Sequence, residues 1–283
     1  RSFRRLMKWL LVLLLALVVF GGAAFFSYDL FVKPEQQMRA ERTSENTAEP
    51  TPDISLPEFQ AAAKLRQEDK LPEARGALTA FIQKYPSGLH AEEAKDLLGE
   101  VNVKILLSAI PSPDKQEYTV KSGDVLARVA NKMKSTPELI MKMNGLNGTM
   151  LHIGERLFVS HPDFALIIQR QAQSVILLNH GMFFKRYHIR TLKLPPKQPA
   201  KLVTKVSETM AFFNGKRVGF GSKEFSRSTR WIRLAAPGCI LYSESEPGIV
   251  AMPPPPTGIG LAAAELEELS SLVNSKSAVT IID

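Results

Sequence analysis

The alternation of apolar and polar positions changes character several times along this chain, and each change marks a different kind of element. Trp9 to Phe26 is an unbroken apolar run of eighteen residues preceded by Arg1, Arg4, Arg5 and Lys8. That is about the length a helix needs to cross a hydrocarbon core, with its basic flank on the cytoplasmic side. Gly21 to Ala24 would also suit a cleaved signal peptide. An uncleaved anchor is the preferred reading, because the run continues through Phe25 and Phe26 beyond a usual signal core. The expectation is a single-pass inner-membrane protein: residues 1–28 form the cytoplasmic flank and anchor, residues 9–28 contact the bilayer, and everything from Asp29 onward is extracytoplasmic.

Residues 29–57 are polar and proline-bearing, almost without large apolar side chains, which predicts a disordered tether. Over residues 58–110 the period turns helical. Phe59, Ala62, Ala63 and Leu65, then Ala74, Leu78, Phe81 and Ile82, recur every three or four residues, and a further helix is expected from Ala91 to Leu107. Residues 110–114, with two prolines, read as a linker.

The segment 117–160 has the order strand, helix, helix, strand. Tyr118 to Val120 is β-prone. Ser122-Gly123-Asp124 is a turn that can cap a helix starting near Val125, and Leu126, Val129, Ala130 and Met133 then share one helical face. Thr136-Pro137-Glu138 announces a second helix, Asn144-Gly145 ends it, and Glu155 to Val159 is the returning strand. Residues 163–283 are mostly β. Runs at 164–170, 174–178, 182–189, 202–206, 210–213, 216–220, 231–234 and 278–282 are β-prone, Asn179-His180-Gly181 forms a hairpin turn, and one helix at 262–273 carries Leu266, Leu269 and Leu272.

Composition adds few constraints. At 283 residues with 45% hydrophobic content, the chain has room for several folded domains. The net charge of +8 suits anionic polymers in general, yet no nucleic-acid motif accompanies it, so no nucleic-acid partner is expected. The basic residues between Lys185 and Lys205 read as a solvated face with a long-range attraction for anionic wall polymer. The five histidines show no metal spacing and no phosphate-binding glycine loop is present, so no metal or cofactor is expected. Cys239 is the single cysteine, which excludes an intrachain disulfide.

The runs YTVKSGDVL, LIMKMNGLN and IGERLFV, at these separations, resemble the LysM domain. The resemblance implies a βααβ module that binds N-acetylglucosamine-containing glycans such as peptidoglycan and chitin. It further implies a shallow groove between two loops, formed by Gly123, Asp124, Val125 and Leu126 on one side and Asn144, Gly145, Leu146 and Asn147 on the other. Val125 stands where a threonine is more usual in that family. The run KLRQEDKLPEARGALTAFIQKYP resembles one tetratricopeptide repeat followed by the first helix of another, and is read as a helical spacer.

The C-terminal layout resembles L,D-transpeptidases, cysteine enzymes that cross-link peptidoglycan stems, through FALIIQRQAQSVILLNHGMFFKRYHI, WIRLAAPG and AELEELSSLVNSKSAVTIID. Carried over by position, the family's His-Gly-Thr motif falls on Tyr242-Ser243-Glu244. Its Ser-His-Gly-Cys-x-Arg motif falls on Pro255 to Gly260, with Pro256, Gly258 and Gly260 at the histidine, cysteine and arginine positions. Without the nucleophile no acyl-enzyme forms. The four prolines from Pro253 to Pro256 are expected to stiffen what is an active-site loop in that family.

The expected fold class is therefore α+β and multidomain: a transmembrane helix, a short tetratricopeptide-like helical segment, a βααβ module and a mostly-β domain. The expected function is non-catalytic peptidoglycan binding that links membrane and wall or scaffolds wall enzymes, with envelope proteins as possible partners. One alternative is an active L,D-transpeptidase or carboxypeptidase with a relocated nucleophile at Cys239. Another is a scaffold that recruits partners through the helical segment.

Overall fold

Proline in the first turn, where a missing N–H costs nothing, starts each of the two leading helices, α1 (Leu56–Gln67) and α2 (Leu71–Lys84). The structure, a computed structural model, describes residues 53–108, 110–244 and 253–283, and Ser55–Asp283 form one compact unit. The expected anchor and most of the expected tether lie outside the described residues. Phe59, Leu78 and Phe81 of α1 and α2 close a small core against Leu98 and Val101 of α3 (Ala91–Leu107).

Helix α3 is more than a spacer, because its other face carries Val103 and Leu106 into the main core of the molecule. Alongside that packing, the buried Asn102 donates from Nδ2 to the carbonyl of Phe184 at 2.8 Å. Arg186 pairs with Asp96 at 2.8 Å and also with Glu92. At the end of α3 the Lys115 ammonium donates to the carbonyls of Ile105, Ser108 and Ile110, satisfying acceptors that the helix leaves open. Burial pushes the pKa of that ammonium down to about 8.

Strands β1 (Lys115–Thr119) and β2 (Arg156–Ser160) pair antiparallel and flank α4 (Leu126–Lys132) and α5 (Pro137–Asn144), the expected order. Helix α5 faces two ways. Ile140 packs under the strand pair, while Leu139 and Met143 enter the main core, so this small module is docked on the β domain.

The β domain comprises β3 (Phe164–Gln169), β4 (Ser174–Asn179), β5 (Met182–His188), β6 (Thr191–Lys193), β7 (Lys201–Phe213), β8 (Lys216–Val218), β9 (Thr229–Leu234), β10 (Ile240–Glu244), β11 (Gly258–Ala262) and β12 (Ala278–Ile282), with α6 (Ala263–Leu272) before the last strand. They form one sheet of order 5-4-3-12-7-9-10-11-6, with β8 paired to β7. Two runs that the sequence separates, at 202–206 and 210–213, are one thirteen-residue strand, β7. A bulge in its pairing with β9, between Val206 and Glu208, bends it without ending it. Strands β6, β10 and β11 carry no expectation from the sequence. The reason is plain for β11: its sequence Gly-Ile-Gly-Leu-Ala has low β-propensity and is held by pairing on both edges.

The single-pass inner-membrane placement is corrected. Among the described residues no helix is long and apolar enough to cross a membrane. The longest, α3, has seventeen residues but carries Glu92, Glu93, Lys95, Asp96, Glu100 and Lys104. Residues 9–28, on which that placement stood, are not among those described.

Two helical glycines separate propensity from packing. A Cβ at Gly99 would lie 2.8 Å from Lys185 Cγ and 3.2 Å from its Cα, whereas one at Gly76 meets nothing. Glycine to alanine in a helix gains about 0.5–1 kcal/mol, and overpacking costs about 1–3 kcal/mol. Lys185 has little freedom to yield, since its ammonium pairs with Glu268 at 2.7 Å. By differential scanning calorimetry, Gly76→Ala is expected to raise Tm by about 2–4 °C and Gly99→Ala to lower it by a similar amount.

Candidate functional site

The module between Lys115 and Ser160 exposes two loops, and local chemistry fixes both. In the first, the Asp124 carboxylate folds back on its own turn, accepting from the Lys121 N–H at 2.8 Å and from the Tyr118 hydroxyl at 2.7 Å. These bonds, the Lys121 amide foremost, hold its carboxyl below the usual aspartate range. Arg128 donates to the carbonyl of Gly123 at 2.8 Å, and Gly123 sits at φ +82°, a conformation that favours glycine. Asp124 does not cap α4, contrary to the sequence-based expectation. The N-cap is Val125 in an extended conformation with no side-chain cap, because the Asp124 carboxylate is committed to the turn.

The second loop begins at a left-handed cap. Gly145 has φ +61°, its N–H bonds Lys142 and the Leu146 N–H reaches back to Met141, a pairing that closes the end of α5. Its start is capped as expected, with Thr136 Oγ1 accepting from the Leu139 N–H at 3.0 Å. Asn144 acts as a staple. Its Nδ2 donates to the carbonyls of Ile140 and Phe158 at 2.7 and 2.8 Å, and its Oδ1 accepts from the Phe158 N–H at 2.7 Å. Backbone bonds from the Val120 N–H to Glu155 and from the Gly154 N–H to Val120, both 2.9 Å, tie the two loops together.

The eight residues expected at the groove therefore differ in what they can offer a ligand. Gly123, Val125, Gly145 and Asn147 are exposed, Asp124 is half-buried and bonded within its turn, and Leu146 is half-buried against the module core. Leu126 is 1% exposed and belongs to that core, and Asn144 spends its amide on β2. Sequence reasoning missed two residues with more to give. Met150 and Ile153 are 78% and 74% exposed, and with Val125 they present apolar surface on loops that otherwise carry small and polar residues. A large apolar residue inside a glycine- and asparagine-rich loop, outside any helical or strand period, is the signal that could have found them.

Of the positions expected to be degenerate in the β domain, Tyr242, Gly258 and Gly260 lie together. Strands β10 and β11 run parallel, with Tyr242 opposite Gly260. A Cβ at Gly258 would lie 2.8 Å from the Ile240 carbonyl and 3.0 Å from the Tyr242 ring, and one at Gly260 would clash with the Glu244 side chain. Pro256 lies exposed ahead of β11. Cys239 is 0% exposed, packed in the main core in the turn before β10, and burial pushes its thiol up. No group of side chains that could hold a metal ion occurs among the described residues.

Residues 118–160 match the family model of the LysM domain. Among solved structures, the chain is similar to an L,D-transpeptidase from Mycobacterium smegmatis, with 10% identity and TM-score 0.30 over 47% of this chain and 65% of that one. It is also similar to L,D-transpeptidase 1 of Mycobacterium tuberculosis, with 8% identity and TM-score 0.30 over 46% of this chain and 67% of that one. The Enterococcus faecium L,D-transpeptidase, in a cysteine-to-serine mutant form, aligns over 66% of this chain and 83% of that one with 11% identity and TM-score 0.29. The chain thus spans under two thirds of the Mycobacterium smegmatis protein. Residues 118–160 are a LysM domain, and the solved structures to which the chain is similar are L,D-transpeptidases at a distance.

Proposed function

We propose that this chain is a peptidoglycan-binding protein of the cell envelope that acts through its LysM domain and performs no catalysis of its own. The observation that carries the reading is the pair of tied loops, on which Val125, Met150 and Ile153 are exposed and whose turns are ordered at Gly123, Asp124 and Gly145. Apolar surface meets the faces of N-acetylglucosamine rings, and ordered backbone N–H and C=O groups meet their acetamido arms. The non-catalytic part of the reading is supported by two observations. Cys239 is sealed in the core with a raised thiol pKa, which disfavours the thiolate that a nucleophile needs. The space before Gly258 is filled by Tyr242.

The test is co-sedimentation of the full chain with purified sacculi, with analysis of muropeptides from the same tube. Val125→Asp combined with Ile153→Asp, both exposed, is expected to leave the circular dichroism spectrum unchanged and to weaken binding about tenfold or more, since charge replaces the surface that meets the sugar. Unaltered binding would place the glycan elsewhere, and new or trimmed cross-links would overturn the non-catalytic reading.

Asp124 supplies a second check. A carboxyl whose folded pKa is depressed stabilises the fold above its unfolded pKa, and that contribution is lost as pH falls through the folded value. The Lys121 amide resonance in NMR is expected to titrate with a midpoint below the ordinary aspartate value of about 3.9. A midpoint at or above that value would mean the turn is not held as described.

A further inference from the structure

Thr149, on the second loop of the LysM domain, packs against the turn that follows β8, since a Cβ placed on Gly221 would lie 3.2 Å from Thr149 Cγ2. The Ser222 N–H closes that turn on the Gly219 carbonyl at 3.2 Å, and Gly221 holds φ +89° within it. Close approach and positive φ account for Gly221. They do not account for Gly219, whose φ lies outside the positive range and whose Cβ would meet nothing. Between the two glycines stands Phe220, 37% exposed, with no side chain on either neighbour to shield its ring. A lone exposed apolar residue needs no explanation, but this one adjoins another. Met150 follows Thr149 and Phe220 precedes Gly221, so each lies one residue, about 3.8 Å of chain, from the contact that joins the two loops.

The Phe220 ring is also anchored. It meets Phe225 edge to face with centroids 5.1 Å apart, and the Arg230 guanidinium stacks 3.7 Å from the centre of the Phe225 ring. Arg230 in turn pairs with Glu138 of α5 at 3.2 Å. The ring is thus held by a chain of contacts that begins in the LysM domain, the same module whose loop it adjoins. A ring already fixed loses little freedom when a ligand stacks on it. Asn147 and Thr149, both exposed, set hydrogen-bonding groups beside Met150. Apolar surface interleaved with polar groups matches a sugar chain, in which each ring has an apolar C–H face and a rim of hydroxyls.

We propose that the glycan surface extends beyond the LysM domain onto the β domain, with Phe220 stacking on a sugar ring of the same N-acetylglucosamine-containing strand that the LysM loops hold. The extension rests on the glycan reading above and adds to it a contact outside residues 118–160. A strand that runs past Met150 onto Phe220 is gripped by both domains at once, which is possible because their docking fixes the one loop against the other.

The experiment is titration of the purified full chain with the N-acetylglucosamine hexamer, followed by calorimetry and by NMR. Intermolecular NOEs are expected from sugar protons to the Met150 methyl group and to the Phe220 ring. Phe220→Ala is expected to keep the Met150 NOEs and to weaken the hexamer about fivefold, whereas Phe220→Tyr, which keeps the ring, binds as the parent does. Three outcomes would each overturn the extension while leaving the LysM reading standing: NOEs to Met150 without any to Phe220, unchanged affinity in Phe220→Ala, or a Phe220→Tyr variant as weak as Phe220→Ala. Absence of NOEs to both residues would remove the glycan reading itself, and the extension with it.

Discussion

The hydrogen-bonding edges of one strand hold the β domain together. Strand β12, five residues at the end of the chain, lies between β3, which it meets in parallel, and β7, which it meets antiparallel. Without it the sheet falls into two pieces, β5-β4-β3 on one side and β7 through β6 on the other, each with an exposed edge. Val279 and Ile281 project from it into the same core that receives Leu266 and Leu269 of α6. Because that core also takes Val103 and Leu106 from α3 and Leu139 and Met143 from α5, the helical segment and the LysM domain are both anchored to a sheet completed by the last residues of the chain.

This arrangement gives the LysM domain a fixed orientation. Helix α5 spends one face on its own module and the other on the β domain, and Thr136 Oγ1 donates to the Ser271 carbonyl across the junction. The two loops that carry Val125, Met150 and Ile153 stay exposed. At the same junction Glu138 of α5 pairs with the buried Arg230 of β9 at 3.2 Å, a second tie between the two domains.

The β10–β11 pair has a different character. Parallel pairing sets Tyr242 against Gly260, and the side chains of Tyr242 and Glu244 occupy the space that Cβ atoms at Gly258 and Gly260 would need. The glycines are thus accounted for by close approach of neighbouring side chains. A residue with a side chain could enter either position only if its neighbour on β10 also changed.

Local pattern was enough for the βααβ order, the caps at Thr136 and Gly145, the hairpin at Asn179-His180-Gly181 and the amphipathic α6, because capping, turn chemistry and 3.6-residue periodicity act within a few residues. The LysM resemblance was legible for the same reason, resting on short runs at fixed spacing. What depends on distant partners was not legible. The continuity of β7 is set by its pairing with β9 and β12, the existence of β11 by neighbours on both edges, and the burial of Leu126 and the stapling by Asn144 by the position of β2. The exposure of Met150 and Ile153 likewise depends on what the packed chain leaves uncovered. Periodicity shows which side chains share a face, but only the packed chain decides what that face meets.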